Sequence, residues 1–411
     1  MKGSRTRVVI TGMGAVSPHG IGVDLLWERL AAGQGAIQPT ERTAGKHRVT
    51  KPAAVLRDYR AELYLNPDKL VFMDPFAQFA LIAANEAIAS AKLSIEALDP
   101  TRIGVVLGTS SGGDTAREIE ADRFFHQGKR RCNPALVSRT NHQSAVGAIS
   151  MEHGITGPCF VVNSGCAAGT HAIAQAVLLL RSGLIDQVIT GGAEACAIFS
   201  TMKAFEAMNA LASDTCRPFS RDRSGLVLGE GAGVLVMETL ASAQNRGAPI
   251  LAELAGIGMS ADAADPVQPT AHGPAMAMRM AVEDGGYALT DVDYINAHGT
   301  GTQANDRVET QAIKDLFGDH ARNIAVSATK SHLGHAFGAS GGLELISCVK
   351  TLQEGLIPAT LNYLGPDPEC ELDLVHTHAR QTPVNLALSN SFAIGGLNAV
   401  LAVSPFRQQL G

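Results

Sequence analysis

Ten short, mostly aliphatic runs punctuate the chain, and the stretches between them carry apolar residues at helical spacing. "RVVITG", "RIGVVLG", "CFVVN", "QVITGG" and "GVLVME" fall in the first part; "ILAELAGIG", "YINAHG", "IAVSATK", "LALSNSF" and "AVLAVSP" follow from about residue 250. These runs are continuous rather than alternating, the pattern of strands buried on both faces. Between them the spacing predicts helices over 74–91, 167–182, 275–285 and 306–316, the third with Pro274 in its first turn. Strand and helix in alternation predict an α/β protein. No low-complexity tract or linker separates the parts, so the halves should be tightly integrated. "VVITGMGAVSP" near the start is echoed by "AELAGIGMSAD" at 252–262, each reading as a strand that runs into a Gly-x-Gly turn. The echo suggests a duplicated α/β unit, divided into 1–250 and 251–411.

Three stretches bear chemistry. "FVVNSGCAAGTHAIAQAVLLLRSG" (160–183) places Cys166 at a corner between a buried strand and a helix that Gly183 ends. At a helix N-terminus the unpaired N–H groups and the positive end of the macrodipole favour an anion, so this thiol is expected to ionise more readily than a free one. A buried cysteine packing as a small hydrophobe is the alternative. "YINAHGTGTQANDRVET" (294–310) carries His298 at the C-terminal end of a strand, then a flexible loop in which Thr300 and Thr302 can offer hydroxyls to an amide-bearing ligand. In "SATKSHLGHAFGASGGLELI" (327–346), Lys330, His332 and His335 crowd a Gly-rich turn ahead of an apolar helix containing Glu344. No carboxylate stands at a zincin offset and no cysteine pair is near. Proton and charge chemistry therefore suits these histidines better than a metal. In "LSNSFAIGGLNAVLAV" (388–403), Gly395-Gly396 bends the chain between two strand-like pieces and can aim backbone N–H groups into a cavity.

Composition narrows the function classes. The 411 residues are 45% hydrophobic and 18% charged, an ordinary globular balance. The net charge of −6 gives no basic footprint for nucleic acid, and aromatics at 5% are too few for a stacking surface. The seven cysteines are odd in number and lack CxxC spacing, which favours a reducing, cytoplasmic setting over a disulfide framework. Lys2, Arg5 and Arg7 precede an apolar stretch, but Thr11, Gly12 and Gly14 break it, so it reads as strand and turn rather than signal peptide. No run of eighteen apolar residues exists to span a membrane. "TGMGAVSPHG" departs from G-x-G-x-x-G, and Pro18 stands where a phosphate-binding helix would begin.

Taken in order, "RVVITGMGAVSPHG", "GVVLGTSSGG", "NSGCAAGTHAI", "GGAEA", "RPFSRDRSGLVLGEGAGVLVMETLASAQNRGA", "AHGTGT", "TKSHLGHAFGASGGLE" and "NSFAIGGLN" span essentially the whole chain. The sequence resembles the elongating, type II β-ketoacyl-acyl carrier protein synthases. The Cys-His-His set differs from thiolases proper, which use a second cysteine, and from initiating and chalcone synthases, which pair Cys and His with Asn.

The resemblance implies a thiolase-like fold, two similar α/β halves packed as five layers (αβαβα). It implies a condensing enzyme that loads an acyl chain onto Cys166 and extends it with malonyl-acyl carrier protein, in fatty-acid or polyketide and polyene synthesis. Cys166, His298, His335 and Lys330 would be catalytic, with the N–H groups of Cys166 and Ile394 as oxyanion hole. Thr300 and Thr302 would hold the phosphopantetheine arm, and Ser111 and Ile394 would line the acyl pocket. Glu344, Asp306 and Glu309 would give structural support. The basic run Lys129-Arg130-Arg131 would either meet the acidic carrier protein or be a plain solvated face, whereas "DKLVFMD" around Lys69 offers one lysine where relatives often carry several basic residues. No cofactor or metal is implied beyond the carrier's own arm, and the partners would be acyl carrier protein and a second subunit, identical or related. Two other readings are a non-catalytic subunit that only shapes a chain-length cavity and a thiolase-like acyltransferase using coenzyme A.

Overall fold

A computed structural model describes residues 5–408, so Lys2 lies outside the described residues. All ten aliphatic runs form strands. In the first half these are β1 (Val8–Ser17), β2 (Ile103–Gly108), β3 (Cys159–Val162), β4 (Gln187–Ala195) and β5 (Leu228–Thr239). In the second they are β6 (Ala252–Ala261), β7 (Tyr294–Asn296), β8 (Ala325–Ser327), β9 (Ala387–Ala393) and β10 (Leu397–Ser404).

The first five lie in the order β3-β2-β4-β5-β1 and the second five in the order β8-β7-β9-β10-β6. Both are the same permutation of chain order. Strand directions repeat too: β2 is parallel to β3 and β4, with β4/β5 and β5/β1 antiparallel. Likewise β7 is parallel to β8 and β9, with β9/β10 and β10/β6 antiparallel. The two sets meet where β1 pairs with β6, Val9 opposite Glu253 and Ile10 opposite Ala252.

Helix α1 (Pro75–Ser90) covers the outer face of the first set, while α3 (His272–Asp284) and α4 (Gln303–Phe317) cover that of the second. Between the two sets run α2 (Ala168–Arg181) and α5 (Ser340–Glu354), which share one buried core with both. The result is five layers, helix–strand–helix–strand–helix, the thiolase-like arrangement. Helix ends follow local chemistry. Asp74 caps α1 by accepting from Phe76 N at 3.2 Å, with Pro75 in its first turn. Helix α4 begins at Gln303, three residues before the predicted start, because the Thr302 hydroxyl accepts from Asn305 N at 3.3 Å. Among the described residues no helix is long and apolar enough to cross a membrane.

One expectation is corrected. The two Gly-x-Gly pairs are not turns; they lie inside β1 and β6. A Cβ at Gly12 or Gly14 would overlap the carbonyl oxygen of Ala87 or Ala83 in α1. One at Gly256 or Gly258 would overlap that of Ala281 or Ala277 in α3. The glycines let an outer helix settle onto strand backbone, and they do so identically in both halves. Gly14→Val and Gly258→Val should each cost about 2–4 kcal/mol of stability, read as a lowered denaturation midpoint. A midpoint equal to that of the unmodified chain in both variants would refute this packing.

Candidate active site

Cys166 lies on the single tight turn Gly165–Ala167 that opens into α2. Gly165 sits at φ +59°, a conformation that glycine adopts without strain. The antiparallel β9–β10 hairpin brings its tip, Ile394 to Gly396, over this corner, and the backbone N–H groups of Ile394 and of Cys166 itself both face the sulfur. The bend predicted at Gly395-Gly396 is this hairpin.

His298 leaves the end of β7 and is buried. The Glu309 carboxylate in α4 accepts from His298 N at 2.8 Å and Gly299 N at 2.9 Å. Asp306 accepts from Gly301 N at 3.2 Å and Phe219 N at 2.8 Å, so both acids brace the loop. His335 follows the short helix Lys330–Leu333, and its backbone donates to Val227 O at 2.6 Å. The two imidazoles meet edge to face with centroids 5.3 Å apart. Ser340 Oγ accepts from Ala336 N at 3.1 Å and lies 3.2 Å from His335 Nδ1. His335 Nε2 has no partner among the described residues.

Lys330 is wholly buried and ion-paired to Glu344, itself buried. Burial pushes Glu344 up to about 7 against the pull of Lys330. Burial, then the Lys330 charge, holds both His298 and His335 well below the ordinary histidine value, so both are neutral at physiological pH. The thiol is a correction. Burial pushes Cys166 up to about 11, outweighing the opposing pull of Lys330 and the two amide N–H groups. The helix-terminal position does not make it a resting thiolate.

A cavity of about 310 Å³ brings together Cys166, His298, His335, Thr300, Thr302 and Ile394. The Thr300 and Thr302 hydroxyls lie 3.0 Å apart. Lys330 stands behind the lining. Ser111, expected along an acyl pocket, is not part of this cavity: its backbone N–H is drawn to Glu194 at 3.1 Å. His332 is not either, since its ring nitrogens meet the carbonyls of Ala359 at 2.6 Å and Gln34 at 3.3 Å. Lys129, Arg130 and Arg131 are exposed, away from the cavity lining, with no ion-pair partner among the described residues.

A model of the β-ketoacyl synthase N-terminal domain matches residues 5–243, and one of the C-terminal domain matches residues 251–364. The chain belongs to the β-ketoacyl synthase family. It is a condensing ketosynthase of the acyltransferase class. This synthase is 46% identical over 402 residues to nodulation protein E of Rhizobium sp. (strain N33), covering 98% of this chain and 99% of that protein. It is 39% identical to 3-oxoacyl-[acyl-carrier-protein] synthase 2 of Staphylococcus aureus (strain COL), over 97% of this chain and 98% of that one. Among solved structures, the ishigamide ketosynthase/chain length factor superposes with a TM-score of 0.92 at 35% identity, covering 98% of this chain and 100% of that one.

Sequence reasoning missed one residue of the synthase's site. Glu194, fully buried on β4, accepts from Ser110 N at 2.7 Å, Ser111 N at 3.1 Å, Gly338 N at 3.1 Å and Thr109 Oγ1 at 3.2 Å. It ties the loop after β2 to the turn after His335, and burial pushes it up to about 7. A carboxylate inside the buried run "GGAEA" was the available signal.

With a thiol near 11, about one part in ten thousand of Cys166 is ionised at pH 7. Its alkylation by iodoacetamide should therefore rise about tenfold per pH unit from pH 6 to pH 9. A plateau within that range would overturn the assignment.

Proposed function

We propose that this synthase transfers an acyl chain from a carrier protein to Cys166 and extends it by decarboxylative condensation with a malonyl group on a second carrier. The carrying observation is one cavity in which a buried thiol faces two backbone N–H groups and two imidazoles kept neutral by burial and by the Lys330 charge. The Cys166 sulfur attacks the thioester carbonyl, and the N–H groups of Cys166 and Ile394 receive the oxyanion. The departing carrier thiolate takes up the proton that Cys166 gives up. When malonyl enters, His298 and His335 donate N–H to the thioester oxygen as CO2 leaves, stabilising the enolate. That carbanion attacks the acyl-Cys166 carbonyl, forming the C–C bond and breaking the C–S bond, and the expelled Cys166 thiolate takes up a proton from solvent to restore the thiol. In this reading side chains and backbone N–H groups carry each step, and Thr300 and Thr302 hold the carrier's phosphopantetheine arm.

The same reading assigns carrier docking to Lys129, Arg130 and Arg131, whose charges are free to meet an acidic surface. Lys69 is instead engaged by Glu152. Strand β3 ends its sheet with an unpaired edge, and its exposed Phe160 supports pairing with a second subunit, identical or of the chain-length-factor kind named in the ishigamide structure. The seven cysteines are all unpaired, which supports a reducing, cytoplasmic setting.

Intact-mass analysis after incubation with acyl-carrier protein should show an acyl adduct that Cys166→Ala abolishes. His298→Ala and His335→Ala should still load in part but release CO2 at least about a hundredfold more slowly. A non-catalytic chain-length subunit would give no adduct, and a coenzyme A-dependent thiolase would not decarboxylate malonyl-carrier protein.

A second reading concerns the acyl chain. Ile394 is 50% exposed at the cavity mouth, where elongating relatives commonly carry a gating Phe. This smaller gate, together with the small polar Ser111 in the loop after β2, supports acceptance of rigid chains such as polyenes. Hydrophobic pockets discriminate by about 1–3 kcal/mol per methylene, enough to shift preference. Ile394→Phe should reduce turnover of polyunsaturated acyl-carrier substrates by about tenfold relative to saturated ones. Unchanged relative turnover would leave a synthase for saturated fatty chains.

A further inference from the structure

Residues 216–225, Cys216 and most of the "RPFSRDRSGL" segment (217–226) that follows it, are left without a role by the reaction described above. They strap the loop that carries Thr300 and Thr302, and they come from the other half of the chain. Four consecutive carbonyls of that loop are each met by a donor from the strap. Thr300 O accepts from the Cys216 thiol at 3.3 Å, and Gly301 O from Gly225 N at 3.0 Å. Thr302 O and Gln303 O accept from Arg223 Nε and Nη2, both at 3.2 Å. Gln303 returns a bond from Nε2 to Arg223 O at 2.7 Å. The Arg223 side chain is fully buried; its Nη1 is paired with Asp367 and donates to Ser220 O at 3.2 Å, and Asp306 lies 3.7 Å from Nε.

This division of labour is specific. The N–H groups of His298 and Gly299 are fastened by Glu309, within the second half. The carbonyls beyond them are fastened across the halves, two of them by one guanidinium. Only a planar fork with several fixed donors can take adjacent carbonyls and a carboxylate at once; an ammonium presents one nitrogen. We propose that Arg223 is a positioning residue that sets Thr300 and Thr302 for the phosphopantetheine arm, while His298 is set independently by Glu309. The inference rests on the arm-binding role given above to the two threonines.

The test compares two malonyl thioesters: malonyl-carrier protein, and an S-ethyl malonyl thioester that has no amide for the threonines to hold. Arg223→Met should lower kcat/KM for malonyl-carrier protein at least about tenfold more than for the S-ethyl thioester, chiefly through KM. Arg223→Lys keeps the charge for Asp306 and Asp367 but cannot span both carbonyls. It should recover thermal stability while keeping the split between substrates. Asp367→Asn leaves the guanidinium in place with one anchor weakened and should show the same split at about threefold; it serves if Arg223→Met does not fold. Equal losses on both thioesters in Arg223→Lys and Asp367→Asn would make Arg223 purely structural and overturn the proposal. An unmodified synthase that decarboxylates neither thioester would overturn the reading of the site itself, and this inference with it.

Discussion

Two helices sandwiched between sheets must approach backbone to backbone for this site to exist. A Cβ on Gly169, the second residue of α2, would overlap the carbonyl oxygen of Gly338, three residues after His335. A Cβ on Gly192 of β4 would overlap that same oxygen, and Gly233 and Gly342 exclude side chains from each other in the same way. The middle layer is therefore as thin as backbone packing permits. That thinness puts the N-terminal turn of α2, with Cys166, beside the turn that enters α5, with His335. Glu194 reinforces the junction by collecting donors from both sides of it. A few added methyl groups here would part nucleophile from imidazole without touching either.

Burial then dictates the electrostatics. An ammonium inside a protein is costly unless paired, and Lys330 has Glu344. Its charge acts on three neighbours at once, disfavouring protonation of His298 and His335 while favouring the Cys166 thiolate. For the histidines burial and charge work in the same direction, so both stay neutral donors. For the thiol they oppose each other and burial wins. The nucleophile is stored as a thiol, protected by being uncharged, and reacts where two amide N–H groups await the oxyanion.

The two halves share strand order, strand direction and even the glycines under their outer helices, but chemistry has been divided between them. The first contributes the cysteine and the strap centred on Arg223; the second contributes both histidines, the threonines and Ile394. Each half completes the other's loops. This interdependence explains why no linker interrupts the sequence.

Much of this was legible in the chain itself. Every aliphatic run became a strand, as short apolar runs, several rich in β-branched residues and bounded by turn residues, do when a sheet is covered on both faces. Cys166 at a strand-to-helix corner, His298 after a strand and the bend at Gly395-Gly396 follow from local pattern and turn chemistry alone. What local pattern could not supply were quantities set by neighbours remote in sequence. The Gly-x-Gly pairs read as turns because nothing local shows a helix lying across them. Cys166 read as acidic because a helix terminus is local, whereas the burial that raises its pKa comes from both halves. Nor could local pattern show that the backbone N–H of Ser111 bonds to Glu194, eighty-three residues on. Glu194 carried no sequence signal beyond a charge in an apolar run, and Arg223 none that set it apart from the charged residues beside it. Their partners are carbonyl and N–H groups of distant loops, and backbone groups look alike in every sequence until tertiary structure brings them together.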